Sequence, residues 1–177
     1  MRHVRSCLPP EILKTVACSI ISSKLDYCNS LLYVTTKANI AKLQLVQNSL
    51  ARLVTGTRKF DHIMPVLKKL HWLPISSRIT YKIAALTHKT LATSQPAYLF
   101  SSIHRSVPSR NTRSAQHIRL SKPDIRNFRS EFSRRGFSNC APTVWNSLPV
   151  DITDSFNSRG VFVTRLKTHL YRLVYVD

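Results

Sequence analysis

Apolar residues recur along this chain at intervals of three and four, the spacing that lines one face of an α-helix. Between residues 11 and 33, Leu13, Ala17, Ile21, Leu25, Cys28 and Leu32 follow it. Ile40, Leu43, Val46, Leu50 and Leu53 do the same between residues 38 and 55. Ile75, Ile79, Ile83 and Leu86 mark a third long helix, and Phe162, Leu166, Leu170 and Leu173 a fourth near the C-terminus. The pattern predicts a mainly α fold. Gly is scarce, at 3 residues against 9 Pro, and no Asn-Gly or Asp-Gly step is present, which disfavours a chain of hairpins.

Proline punctuates this pattern. "LPPEI" (8–12), "LPISSRI" (73–79) and "LPVDI" (148–152) each place Leu-Pro just ahead of a helical stretch. Pro suits the first helical position, because its missing N–H would find no intrahelical partner there. "MPVL" (64–67) has the same look, with Asp61 as a cap one turn earlier. The Leu-Pro steps therefore predict corners between packed helices. Both Trp residues, Trp72 and Trp145, stand shortly before such a step. An indole can stack on an unpaired base, contributing ~1–3 kcal/mol, or bury a large area in a core. Their flanks are apolar rather than arginine-rich, which favours the core.

Residues 104–135, "HRSVPSRNTRSAQHIRLSKPDIRNFRSEFSRR", break the pattern. They carry nine Lys or Arg against Asp124 and Glu131, and no sustained apolar stripe. The segment reads as a long basic connection, with "QHIRL" the first and "FRSEF" the second candidate for a short strand. A structureless loop of this length is unusual in a compact domain, so local structure or docking on a partner is expected.

Charge sharpens the picture. The 177 residues contain 27 Lys or Arg and 8 acidic residues, a formal net charge of +19. Such an excess favours a polyanionic partner. A hydrophobic fraction of 43% is enough for a real core and excludes a disordered tail. No apolar run approaches the ~20 residues that span a membrane, so no membrane partner is expected. "MRHVRSCLPPEILK" at the N-terminus has no continuous apolar stretch of the secretory type. Cysteines 7, 18, 28 and 140 form no C-x-x-C pair, which argues for reduced, structural thiols and an intracellular setting, nucleus or cytoplasm left open.

No catalytic set stands out. The phosphate-binding, dinucleotide-binding, zinc-protease and nucleophile-elbow motifs are all missing. Two-metal nucleotidyl transfer needs closely placed carboxylates, and Asp151 with Asp154 is the only close acidic pair. Both fit a helix start near its positive end. His71 beside Trp72 reads as a packed or half-exposed core neighbour. No catalytic residue, metal ligand or cofactor is expected.

Several segments have a familiar order: "SKLDYCNSLLY" (23–33), "LQLVQNSLARLVTG" (43–56), "HIMPVLKKLHWLPISSRITYKI" (62–83), "PAYL" (96–99), "TRS" (112–114), "APTVWNSLP" (141–149) and "RLKTHLY" (165–171). Together they resemble the C-terminal region of reverse transcriptases from LINE-type, non-LTR retrotransposons of the Jockey and chicken-repeat group. The resemblance covers nearly the whole chain. It implies thumb-like helices over 1–57, a helical post-thumb segment over 58–103, the basic connection over 104–136 and C-terminal helices over 137–177. The family's catalytic aspartates belong to a palm motif upstream of anything present here, so no catalytic role is carried over. Val34 stands where a Gly commonly follows "LLY", and Val163 where a Lys is common before "RLKT".

The resemblance implies a non-catalytic part of an RNA-directed DNA polymerase that holds RNA or DNA with little sequence preference, against the polymerase palm in a full-length parent. The candidate phosphate contacts are Arg105, Arg110, Arg113, Arg119, Lys122, Arg126, Arg129, Arg134 and Arg135. Arg52, Arg58 and Lys59 form the reserve set. Two alternatives stay open: a helical protein-interaction module recruited from transposon sequence, and a translated remnant without function.

Overall fold

Proline, hydroxyl and amide side chains decide where the helices of this chain start, bend and meet. The computed structural model describes residues 7–106, 117–124 and 131–176. Along the chain run α1 (Pro10–Ala17), α2 (Ser23–Asp26), α3 (Lys37–Thr55), α4 (Ile63–Leu70), α5 (Ile75–Thr93), α6 (Ala97–Phe100), α7 (Glu131–Arg135), α8 (Phe137–Ser147), α9 (Val150–Thr153) and α10 (Arg159–Tyr175). The fold is mainly α, as the apolar spacing predicts, and no strand occurs among the described residues. None of the described helices is long and apolar enough to cross a membrane.

All three Leu-Pro steps open helices. Pro10 is the first residue of α1. Pro74 and Pro149 each stand one place earlier than expected, immediately before α5 and α9, and their carbonyls accept from Arg78 N and Ile152 N at 2.9 and 3.0 Å. A fixed φ near −60° suits the cap position as well as the first helical one, because ψ there is free to stay extended. The start of α4 differs from expectation. His62 occupies its cap without a side-chain bond, and the Asp61 carboxylate instead accepts from Arg58 N at 3.1 Å in the preceding turn.

The expected single helix over 11–33 is interrupted. A π-helical turn (Cys18–Ser22) separates α1 from α2, and Cys28 adopts a left-handed φ of 51° before a 3₁₀ turn (Asn29–Leu32). A ladder of hydroxyls runs along this stretch: Thr15 donates to Glu11 O, Ser19 to Thr15 O and Ser23 to Ser19 O. Each hydroxyl competes with an amide for the same carbonyl, which loosens and bends a helix.

The chain divides into two units, neither continuous in sequence. The first comprises Met1–Asn29, Thr35–Ile79 and Leu170–Asp177; the second comprises Ser30–Val34 and Thr80–His169. In the first unit Ala17, Leu50, Ala51, Val54, Leu67 and Trp72 form the core, with Leu53, Ile63, Val66, Leu70 and Tyr175 packed around it. The inward face of α3 is rotated from the one its Leu and Val spacing predicts but overlaps it, since Leu50 is buried and Leu53 packs on the core. Gln47, Leu50, Ala51 and Val54 are buried, whereas Val46 is exposed and Leu45 is 64% exposed.

Gln47 explains the rotation, because it serves the corner before α5. Its amide donates to Leu73 O at 2.8 Å, and its oxygen accepts from Gln44 Nε2 at 2.9 Å. The Gln44 oxygen in turn accepts from Ile75 N, one of the α5 donors with no partner inside the helix. Arg78, one turn further on, makes a two-pronged ion pair with Asp26. Tyr175 completes the corner by donating its hydroxyl to Trp72 O.

In the second unit, the rings of His88, Trp145 and Phe162 form one cluster, with the His88 and Trp145 centroids 4.2 and 5.7 Å from Phe162 and 6.5 Å from each other. Trp145 Nε1 donates to Ile118 O at 2.8 Å, so the buried indole has its polar atom satisfied. Both Trp residues are thus buried in cores. Val34 of this unit has a φ of 62° and is 47% exposed. A β-branched residue clashes with its own backbone in that region, and Gly does not.

Candidate nucleic-acid interface

In the described part of the basic connection, a helix side chain and one backbone bridge hold the chain. Asn146 on α8 accepts from Leu120 N at 3.0 Å and donates to Leu120 O at 2.8 Å, occupying both polar groups of one backbone residue. Around this clamp, Ser106 N donates to Arg119 O and Ser121 N donates to His104 O, at 2.9 and 2.8 Å, forming one antiparallel bridge between Arg105 and Leu120. The strand expected at "QHIRL" is therefore only this bridge. For "FRSEF", Glu131 and Phe132 begin α7 rather than extending a strand, and residues 128–130 lie outside the described residues.

The bridge draws together candidates that are far apart in sequence. Arg105 and Arg119 stand on its two arms, Lys122 follows one of them, and all three side chains are exposed. Leu120 and Ile103, by contrast, are buried, so the same short ribbon is apolar toward its unit and cationic toward water. Arg134 and Arg135 end α7, where Asn139 donates to Arg134 O at 2.9 Å. Arg134 is exposed and Arg135 is half-buried, with its Nε lacking a hydrogen-bond partner among the described residues. Arg110, Arg113, Arg126 and Arg129 lie outside the described residues.

Among the acidic groups of the second unit, exposed Asp124 lies two residues beyond Lys122 in the chain. Asp154 faces His117 Nδ1 at 3.1 Å, and Asp151 lies in the first turn of α9, as expected of a helix-start residue. Among the described residues no cluster of three or more His, Cys, Asp or Glu could hold a metal ion. None of the four cysteines is in a disulfide, and burial pushes the Cys140 thiol up to about 11. His71 is exposed rather than packed in the core. It ends α4 with a φ of 56°, and its ring stacks on Tyr171 at 5.6 Å.

A second basic element lies in the first unit, in the turn between α3 and α4. Gly56, with a φ of 76°, ends α3 and donates its N–H to Arg52 O at 2.9 Å. Arg52 then reaches across the turn, donating to Arg58 O at 3.3 Å and to Asp61 O at 3.0 Å. Of the reserve set, Arg52 is thus a brace, whereas Arg58 and Lys59 are exposed. Phe60, beside them, is 92% exposed. Apolar periodicity could not single out Phe60, since it belongs to no helical stripe. The usable signal was an aromatic directly after two cations in a turn opened by Gly.

No family model, curated protein or solved structure matches this chain.

Proposed function

We propose that this chain is a non-catalytic, nucleic-acid-engaging part of a LINE-type reverse transcriptase, holding RNA or DNA through its phosphates. The observation that carries the proposal is the charge: +19 overall, with nine Lys or Arg against two acidic residues over 104–135. Arg105, Arg119, Lys122 and Arg134 stand at the surface, where counterion release on phosphate contact supplies affinity without sequence preference.

Two further observations support the resemblance behind this reading. The segments that carry it meet at one corner: the side chains of Asp26 from "SKLDYCNSLLY", Gln44 and Gln47 from "LQLVQNSLARLVTG" and Arg78 from "HIMPVLKKLHWLPISSRITYKI", with the Trp72 carbonyl from that last segment. Val34, where the family commonly has Gly, holds a backbone conformation that favours Gly.

The test is a salt titration of binding to a labelled single-stranded oligonucleotide. About five phosphate contacts give a slope of log affinity against log salt near −3.5. The triple variant Arg119→Gln, Lys122→Gln, Arg134→Gln should flatten it by about 2, or roughly 0.7 for each phosphate that is no longer neutralised. An unchanged slope would remove the basic connection from the interface.

The alternative of a recruited protein-interaction module has one observation in its favour, the exposed apolar side chains Tyr27, Leu45 and Val46 of the first unit. Under the first reading these side chains are available to the palm of a full-length parent. Failure of the wild type to bind any oligonucleotide at low salt would leave the interaction module and the remnant without function as the two accounts.

A further inference from the structure

We propose that the turn between α3 and α4 is a stacking site for single-stranded nucleic acid, with Phe60 lying on an unpaired base while Arg58 and Lys59 meet the adjoining phosphates. This rests on the nucleic-acid reading and adds to it a base-contacting residue, in a different unit from the basic connection.

The first observation is Phe60 itself. An aromatic ring usually buries 150–250 Å², yet this one is 92% exposed. It stabilises nothing in its own fold. The second is the rigidity of the turn that presents it. Arg52 holds Arg58 O and Asp61 O from below, the Asp61 carboxylate takes Arg58 N, and Asp61 N returns to Arg58 O at 3.3 Å. Thr55 and Thr57 share a hydroxyl–hydroxyl bond of 2.6 Å at its entrance. A turn tied at this many points has little backbone freedom left to lose on binding, which favours contact by its tip.

The third observation is the availability of the charges. Asp61 spends its carboxylate on the Arg58 backbone N–H, and no ion pair among the described residues engages the Arg58 guanidinium or the Lys59 ammonium. Both cations therefore remain open to an anion. The chemistry of the partner follows from the neighbours. An apolar protein surface would require an apolar patch, whereas Phe60 lies among Thr57, Arg58, Lys59, Asp61 and His62. An exposed ring directly after two cations matches a polyanion that carries flat, apolar faces, as single-stranded nucleic acid does. Duplex keeps those faces stacked on one another, so single strands are the preferred form.

The experiment compares the full-length wild type with Phe60→Ala, Phe60→Leu and Phe60→Trp. Binding is measured to a fluorescein-labelled oligothymidylate, to an abasic oligomer of the same length, and to a duplex. Phe60→Ala and Phe60→Leu should each weaken oligothymidylate binding by roughly 5- to 150-fold, the range that stacking on one base contributes. They should leave abasic and duplex binding, and the salt slope, unchanged. Phe60→Trp should restore affinity and add a quench of indole fluorescence over wild type on binding the oligothymidylate. Melting temperatures should match throughout, since the ring is exposed. Equal losses on abasic and base-bearing oligomers would overturn the stacking role. Unchanged affinity of Phe60→Ala beside a binding wild type would sink the inference and leave the phosphate-holding function standing. Failure of the wild type to bind any oligomer overturns both. Retained oligomer binding with a loss of capture on phosphatidylserine vesicles would instead assign Phe60 to a lipid surface.

Discussion

Replacing Gln47 separates a structural role for the "LQLVQNSLARLVTG" segment from a ligand-contacting one. The side chain is 1% exposed, donates to Leu73 O at 2.8 Å and accepts from Gln44 Nε2 at 2.9 Å. Gln47→Met keeps nearly the same volume and removes both bonds. Gln44 Nε2 still has Asn48 Oδ1 at 2.8 Å, so the group left without a partner is the Leu73 carbonyl. An orphaned, partly buried acceptor costs about 1–3 kcal/mol, and that is the expected loss. Gln47→Ala adds an unfilled volume and brings the loss to about 3–5 kcal/mol, a large share of the ~5–15 kcal/mol that holds a domain folded. Urea unfolding reports on the change directly, with fluorescence from Trp72, which packs in the same core. Gln44→Ala and the double variant close a cycle whose coupling should reach about 0.5–3 kcal/mol, as for residues in one hydrogen-bond network. The reasoning is refuted if Gln47→Met unfolds within about 0.5 kcal/mol of wild type, the range typical of exposed positions. Loss of oligonucleotide binding in that same variant would make Gln47 a contact residue.

Val34→Gly should raise the melting temperature slightly, because removing about 1–2 kcal/mol of left-handed strain outweighs about 0.4–1 kcal/mol of added unfolded-chain entropy; a clear drop in calorimetry would show that the side chain packs more than it strains. Burial pushes the Cys140 thiol from 9.0 up to about 11, and burial, aided by neighbouring Tyr171, pushes the Tyr175 phenol from 10.0 up to about 12. Both folded groups keep their protons to higher pH than the unfolded chain does, so their contribution is complete below pH 9 and is lost between about pH 9 and 12. In alkaline unfolding series, Cys140→Ala should remove the part of this loss that begins near pH 9 and Tyr175→Phe the part that begins near pH 10; variants with the same pH dependence as wild type would contradict these assignments. With a thiol reagent at neutral pH, exposed Cys7 and Cys28 should react in the native state and buried Cys140 only after denaturation, a sequence that peptide mapping checks. Template-primer extension by the isolated chain should not exceed a mock-purified control.

Helix content and helix starts were legible in the sequence because they depend on local chemistry. Apolar residues three and four apart located α3, α5 and α10, and the Leu-Pro steps located the starts of α1, α5 and α9, since a ring that fixes φ and lacks an N–H acts through its own residue. The break after α1 was written there too, as hydroxyls spaced four apart, but periodicity counts only apolar positions and passes over them. Charge density alone singled out residues 104–135 as a candidate phosphate-binding stretch. Tertiary structure decided the rest. Which face of α3 turns inward depended on a polar residue, Gln47, finding a carbonyl at Leu73 that only folding brings near. How "QHIRL" is held depended on Asn146 occupying both polar groups of Leu120, on the edge turned away from Arg105, a pairing of distant residues that no local window contains. The same holds for cations: Arg52 and Arg58 look alike in the sequence, yet one braces a turn from beneath and the other stands in solvent on top of it. A side chain's type is local information; its partner is set by the path of the whole chain.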